Sequence, residues 1–246
     1  MAVLRLAQGK RAWVICGLGL ALALAACSGP GGPRGSGGRG PALRPTANPG
    51  QVVATELGFA RAAREKGQWT AFAEYAAKDA VMFVPQPVNA QAWLKGRANP
   101  ASAVQWEPHF VWSSCDGSLA VTKGDWKGAD GSVGNFITVW QRQSDGSYKW
   151  VMDQGAALER EEPGPDMVQA RVADCGAAGS AELEEASFGD PHYYGASLDR
   201  RLRWTAVVDA SCHRQVTVTG IFDGEQVDVV SVSVPASEGE KCPPRP

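Results

Sequence analysis

The sequence predicts an α+β domain in which helices come first and a mainly antiparallel sheet follows. Between residue 51 and about residue 78, apolar side chains recur at helical spacing. After residue 103 the period changes to two, in four segments separated by Asp-Gly dipeptides, which are typical of hairpin turns. Helices followed by hairpin-connected strands indicate an α+β layout rather than a parallel α/β sheet.

Two N-terminal helices are expected. Asn48 is a suitable N-cap, Pro49 suits the first helical position, and Gly67 marks the end of the first helix. Its apolar side is expected to run through Val53 and Leu57. A second helix should extend from residue 68 to about residue 78 and, like the first, cover something apolar with one face.

The sheet is expected to begin after these helices. A short strand over residues 80–84 should stop at Pro85, and a short helix should start at Asn89. The period-two segments then predict four longer strands, near residues 104–112, 119–126, 132–142 and 148–153.

The C-terminal part predicts a second, smaller unit. Residues 155–198 carry no clear period and are interpreted as a connector. Residues 199–246 contain three alternating segments, near 201–209, 215–223 and 226–234, which form a small β-meander. Two or three strands are marginal alone in water, so this unit must pack on the first body, be held by a disulfide, or both.

The N-terminus has the pattern of an export signal. Lys10 and Arg11 precede an apolar stretch that ends in Leu24-Ala25-Ala26-Cys27. This resembles the lipobox of bacterial lipoproteins, which implies a signal peptide over residues 1–26 and a lipid on Cys27. The alternative is an uncleaved signal anchor. The lipoprotein interpretation places the protein in the cell envelope, on the periplasmic face of an outer membrane or on the surface of a single-membrane bacterium.

Residues 27–50 are interpreted as the lipidated cysteine and a disordered tether. Residues 28–50 contain eight glycines, five prolines and no aromatic residue, so they cannot bury enough apolar surface to offset the entropy of ordering.

The remaining cysteines are expected to form disulfides, because the chain reads as exported. They are Cys115, Cys175, Cys212 and Cys242. Four cysteines allow three pairings. We favour Cys212 with Cys242, which flank a predicted hairpin, and this leaves Cys115 with Cys175. No metal site is expected, since the chain has no C-x-x-C spacing and only three histidines.

Charge argues against a nucleic-acid partner. Residues 1–50 hold six basic residues and no acidic ones, which leaves 18 bases against 26 acids in the rest of the chain. Nucleic-acid binding depends on Lys and Arg contacts to phosphate, and no basic stripe is present.

Residues 51–154 resemble the nuclear transport factor 2-like superfamily, in particular the bacterial SnoaL-like domains of unknown function. The resemblance lies in Trp106-Glu107-Pro108, in Gly124-Asp125-Trp126, and above all in the hairpin Thr138-Val139-Trp140-Gln141-Arg142-Gln143-Ser144-Asp145-Gly146-Ser147-Tyr148-Lys149-Trp150-Val151-Met152-Asp153. It implies a cystatin-like cone, a curved sheet wrapped against helices with a pocket inside. That cone hosts isomerases, dehydratases, cyclases and modules that only bind or dimerise, so the activity must be argued from the site.

Asp153 is the first candidate catalytic residue. If Asp145-Gly146 closes a two-residue loop, Thr138 lies opposite Asp153 and Trp140 lies opposite Val151. A carboxyl group in an apolar pocket has a raised pKa and can act as a general base. The alternative is a strand-end acid bonded to backbone or solvent, and a three-residue loop would shift the pairing.

His109 is the second catalytic candidate. Strict alternation puts it on the opposite face from Trp106, Phe110 and Trp112. It serves as an acid or base only if its face is the concave one; otherwise it is a rim or surface residue.

The candidate ligand-binding residues are aromatic side chains of the helices and the sheet, for which the alternative is core packing. They are Trp69, Tyr75, Trp106, Phe136 and Trp140.

Three functions follow as hypotheses. We favour a membrane-tethered module that binds a small apolar or aromatic ligand, or a protein partner, without turnover. The alternatives are a lyase or isomerase with Asp153 as base, helped by His109 or Tyr75, and a structural homodimer associating through an exposed back of the sheet. The chain contains no nucleophile elbow or Walker loop, and the Gly-rich residues 29–40 are not expected to bind a phosphate, because no strand precedes them and no helix immediately follows. No cofactor is therefore expected.

Overall fold

The computed structural model of the chain describes residues 47–176, 183 and 192–236. In this part of the chain, three helices and eleven strands form an α+β fold with two sheets. The predicted fold class is therefore confirmed. The leader, Cys27 and most of the predicted tether lie outside the described residues, as does Cys242.

Helix α1 (Pro49–Lys66) begins as the sequence predicts. The Asn48 side chain accepts a hydrogen bond from the Gln51 backbone N at 3.2 Å, and the helix ends at Gly67. Helix α2 (Gln68–Tyr75) is shorter than expected, because the chain enters strand β1 (Ala76–Phe83) at once. Ala76 pairs there with Trp150, so sheet pairing overrides the local helical pattern.

The buried side of α1 differs from the predicted one. Val52, Glu56, Phe59 and Ala63 are buried, whereas Leu57 is 44% exposed. The apolar stripe is therefore rotated by one residue and has an acid in its middle.

The first sheet has seven strands, in the order β2-β1-β6-β5-β4-β3-β7. Its further elements are β2 (Pro87–Asn89), α3 (Ala90–Leu94), β3 (Gln105–Ser113), β4 (Leu119–Lys127), β5 (Val133–Arg142), β6 (Tyr148–Leu158) and β7 (Gln169–Val172). Strands β3 to β6 form the predicted antiparallel meander. Strands β1 and β7 add to it in parallel, at β6 and β3 respectively.

The second sheet has the order β11-β10-β9-β8 and is antiparallel. Its strands are β8 (His192–Ala196), β9 (Leu202–Val208), β10 (Arg214–Phe222) and β11 (Glu225–Val234). The segment expected as a connector, residues 155–198, thus supplies the end of β6 and all of β7 and β8. Strand β7 is exposed along its whole length, so it has no alternating pattern by which the sequence could predict it.

Each face of the first sheet is covered. Side chains of its inner face, such as Trp140 and Trp150, form one core with the helices. Side chains of its outer face, such as Val121 and Val139, form a second core with the second sheet. The outer face is not exposed, which corrects the expectation that it is free to form a homodimer.

A bulge in β3 changes the expected faces of that strand. Pro108 pairs with Gly124 and Phe110 pairs with Lys123, so His109 is an extra residue. Beyond it the alternation is inverted. Trp106 lies in the inner core and Trp112 in the outer one, whereas strict alternation predicted one shared face.

A disulfide joins Cys115 to Cys175, the pairing left by the one we favoured from sequence. It connects the turn between β3 and β4 to the segment after β7. Among the described residues, no helix combines the length and apolar character that a membrane span requires.

Because the second sheet shares a core with the first, we expect the two to unfold together. Leu202 of β9 is completely buried in the shared core, whereas Leu198 is 87% exposed. Leu202→Ala should lower the free energy of unfolding by about 2–5 kcal/mol, and the control Leu198→Ala by less than about 0.5 kcal/mol. Urea unfolding followed by circular dichroism measures both; two transitions, of which Leu202→Ala moves only one, would contradict a shared core.

Candidate functional site

Asp153 is positioned by two irregularities in the β5–β6 hairpin, whose effects on the strand register cancel each other. The loop has three residues rather than the predicted two: the Gln143 backbone N donates to the Ser147 carbonyl at 2.7 Å, and Gly146 adopts a φ of 84°. This shifts the register by one residue. A bulge at Val151 shifts it back, so that Trp140 pairs with Trp150 while Thr138 still pairs with Asp153.

A cavity of about 250 Å³ lies between the helices and the inner face of the first sheet. Seven of its fifteen lining residues are aromatic, and three have polar side chains, Gln68, Thr138 and Asp153. The rings are Phe59, Trp69, Phe72, Phe83, Trp106, Trp126 and Phe136. The cavity has the mainly apolar lining with a few polar groups that is typical of a small-molecule site, and its volume suits a compact ligand.

Asp153 supplies the carboxyl group of this cavity, and only one of its two oxygen atoms has a hydrogen-bond partner among the described residues. Its Oδ2 atom accepts a hydrogen bond from Thr138 Oγ1 at 2.8 Å. No partner for Oδ1 is found among the described residues. Burial raises the pKa of Asp153 to about 7; the hydrogen bond from Thr138 opposes this rise and the charge of Glu56 adds to it. Near neutral pH this carboxyl group therefore exchanges between its protonated and ionised forms.

Glu56 lies behind the cavity wall and is completely buried. Its Oε1 atom accepts a hydrogen bond from Trp106 Nε1 at 2.7 Å. Its Oε2 atom accepts from Thr122 Oγ1 at 2.6 Å and from Trp140 Nε1 at 3.0 Å. Burial raises the pKa of Glu56, and the three hydrogen bonds oppose that rise.

Glu56 is not among the site residues predicted from the sequence. The signal was present: Val52, Glu56, Phe59 and Ala63 follow helical spacing on the buried side of α1, so an acid stands inside an apolar stripe. An acid in such a position must be paired, since burying an unpaired charge is costly.

Two of the three indole rings that line the cavity have their N–H groups engaged in the wall. Trp106 Nε1 donates to Glu56, and Trp126 Nε1 donates to the Asn135 carbonyl at 3.0 Å. The ring of Trp126 lies directly over Gly134, where an added Cβ would come within 2.3 Å of it. Glycine at position 134 therefore permits this ring position.

Three of the five candidate ligand-binding residues line the cavity, namely Trp69, Trp106 and Phe136. The other two do not. Tyr75 stacks on Phe59 at 5.1 Å, and Trp140 is fully buried with its N–H bound to Glu56. Both belong to the core that the helices form with the inner face of the sheet, Trp140 inside it and Tyr75 packed against it.

His109 and Asp153 do not share a cavity. The bulge turns His109 into a separate groove, where its Nδ1 atom lies 3.5 Å from Asp125 Oδ2 and its Nε2 atom lies 3.8 Å from Glu107 Oε1. The structure thus gives no support to His109 as a catalytic partner of Asp153. Across the part of the chain that is described, no set of three His, Cys, Asp or Glu side chains is arranged to hold a metal ion.

The raised pKa of Asp153 should make stability depend on pH. From about pH 4 to about pH 7 the folded protein keeps a proton that the unfolded chain, with an ordinary pKa near 3.8, has lost. The contribution of Asp153 to stability therefore falls as pH rises across this window, by at most about 1.4 kcal/mol per pH unit.

Asp153→Asn removes this titration and keeps the side-chain shape. We expect the free energy of unfolding of the wild type, minus that of the variant, to decrease between about pH 4.5 and about pH 7 and then to level off. Urea unfolding at several pH values measures it. A difference that stays constant with pH would show that the Asp153 carboxyl group titrates normally.

Comparisons with known proteins give similarity in fold only. No protein-family model matches this chain, and no match was found among curated proteins. A protein provisionally assigned as a ketosteroid isomerase from Parabacteroides distasonis is 15% identical, with a TM-score of 0.38, over 47% of this chain and 97% of that one. A cystatin-like protein of unknown function from Methylobium petroleophilum is 8% identical, with a TM-score of 0.34, over 50% and 86%.

A nuclear transport factor 2-like protein of unknown function from Mesorhizobium loti is 19% identical, with a TM-score of 0.31, over 46% of this chain and 96% of that one. With TM-scores below 0.4, these likenesses carry no argument about activity.

Proposed function

We propose that the inner cavity binds a small, mainly apolar ligand with an aromatic or similarly compact body, and that Asp153 makes its polar contact. One observation carries this proposal: aromatic side chains line the cavity, and among them lies a carboxyl oxygen of Asp153 for which the described residues supply no partner. Such a combination of apolar walls and a few polar groups is typical of small-molecule sites, where the polar groups fix the orientation of the ligand.

Binding is better supported than catalysis. Removing a proton next to a carbonyl group requires a base and also a hydrogen-bond donor for the oxygen that becomes negative. Asp153, with a pKa of about 7, suits the base. The N–H groups of Trp106 and Trp126 are engaged elsewhere, and Tyr75 and His109 do not line the cavity, so the donors left in the described lining are the side-chain amide of Gln68 and the indole N–H of Trp69, both of which are neutral.

A cofactor-free lyase or isomerase is the second candidate, favoured by the near-neutral pKa of Asp153. Asp153→Asn separates it from the first. Loss of turnover of an identified substrate with unchanged affinity would support the enzyme, whereas a ligand that is bound and released unchanged by the wild type supports a binding module.

We also propose that the domain is a SnoaL-like module anchored in the cell envelope through a lipid on Cys27. The support is the sequence Leu24-Ala25-Ala26-Cys27 after an apolar stretch, followed by the Gly- and Pro-rich residues 28–46. More than one acyl chain, at about 0.8 kcal/mol per buried CH₂, gives a stable anchor.

A bulky side chain at the exposed edge of the cavity tests whether ligands bind there. Ala157 is exposed and lines the cavity, whereas Ala101 is exposed and lies outside it. Two probes, phenethyl alcohol and phenethylammonium, are titrated by calorimetry, and we expect at least one to bind with a Kd of roughly 0.1–1 mM.

Ala157→Trp should weaken that binding by about tenfold or more through steric exclusion, and the control Ala101→Trp should leave it unchanged. If neither probe binds the wild type, or if binding survives the Ala157→Trp change, the proposed site is wrong.

The anchor is tested with Cys27→Ser in a bacterium that processes lipoproteins. The wild type should enter the detergent phase of a phase-separation assay and give a peptide carrying acyl chains by mass spectrometry. Cys27→Ser should lose the acyl mass, and Cys16→Ser, also in the leader, should retain it. Equal detergent partitioning of the wild type and Cys27→Ser would contradict lipidation at this cysteine.

A further inference from the structure

The inner cavity offers negative charge and electron-rich surface. Its one ionisable lining residue is Asp153, and no Lys, Arg or His belongs to its lining within the described residues. A second carboxyl group, that of Glu56, lies behind the Trp106 wall. A ligand therefore meets the carboxyl group of Asp153, with Glu56 behind the wall, and no Lys, Arg or His among the described lining residues.

The aromatic rings of the wall add to the negative electrostatic character of the cavity. Because the N–H groups of Trp106 and Trp126 are bound elsewhere, the cavity meets ring surfaces. The face of an aromatic ring carries the negative part of its quadrupole, and Trp attracts cations most strongly. In Trp106 the N–H group points at a carboxyl oxygen 2.7 Å away, which pushes electron density into the ring that lines the cavity.

We propose that the ligand of the inner cavity is a small organic ammonium ion with an apolar body, whose nitrogen lies between Asp153 Oδ1 and the faces of the surrounding rings. This rests on the proposed function, because it names the chemical class that the cavity binds. The ammonium N–H groups supply the donor that Oδ1 lacks, and the charge interacts with the ring faces.

Other ligand classes fit less well. An anion would find no Lys, Arg or His among the described lining residues, and its charge would oppose the ionisation of Asp153. A neutral alcohol of the same shape would donate one hydrogen bond to Asp153, but it would gain little from the electron-rich ring faces.

Binding of an ammonium ion should change the protonation state of Asp153. An ammonium ion favours the ionised form of Asp153, so binding should lower the pKa of this group from its value of about 7 in the empty cavity. The titratable group that acts on Asp153 from a neighbouring element is Glu56 of α1, whose carboxyl group shifts in the same direction. Below about pH 7, binding of the cation should therefore release protons to the buffer.

Calorimetry with phenethylammonium and phenethyl alcohol tests this, since the two share one carbon skeleton and differ in charge. At about pH 7.5 the ammonium ion should bind about tenfold more tightly than the alcohol. Its affinity should fall as pH drops below about 7, and titrations in two buffers with different ionisation enthalpies should show proton release.

Two variants test whether Asp153 is the group that recognises the cation. Asp153→Asn should abolish both the preference for the cation and the proton release. Asp125→Asn, a matched change of a carboxyl group in the separate His109 groove, should leave both unchanged. If Asp153→Asn does not fold, the proton release of the wild type in the two buffers decides the question.

The outcomes distinguish this inference from the proposed function. An alcohol that binds as tightly as the ammonium ion, or a cation that binds without proton release below about pH 7, overturns the inference and leaves a neutral-ligand site. If neither compound binds, both the inference and the proposed function fail.

Discussion

The carboxyl group of Glu56 ties the first helix to the sheet, and the cavity depends on that attachment. Its three hydrogen bonds reach strands β3, β4 and β5 through Trp106, Thr122 and Trp140. A buried carboxyl group without these donors would be strongly unfavourable, so helix and strands can meet here in one arrangement only. That arrangement holds the ring of Trp106 in the cavity wall with its N–H group bound to Glu56.

Asp153 is placed by a different constraint, a pair of compensating irregularities. The three-residue loop at Gly146 would by itself have moved Asp153 out of line with Thr138, and the bulge at Val151 restores the pairing. The sequence prediction that Thr138 faces Asp153 holds, although the two-residue loop on which it was based does not. Glu56 and Asp153 together give the inner side of the sheet two carboxyl groups with raised pKa values, one held by its partners and one open to the cavity.

The sequence predicted the strands well and their faces less well. A strong period of two and Asp-Gly turns located β3 to β6 to within a few residues, because these strands bury alternate side chains. The bulge at His109 inverted the faces beyond it, and an extra residue in a strand leaves no mark on composition. Strand β7 was not predicted, because all of its residues are exposed and it therefore has no alternating apolar pattern. Glu56 was not predicted as a buried residue, because the apolar stripe of α1 was expected to run one residue away, through Leu57, which is exposed.

The second sheet on the outer face of the first has a mechanical consequence. The β-strand wall of the cavity is backed by another tightly packed core, so this side resists bending. Helix α2 is eight residues long, has only Gln68 and Ala71 buried, and closes the cavity from the other side. A guest larger than the resting volume would therefore be accommodated by outward movement of the helical side, while the double-layered strands act as a fixed template for its shape.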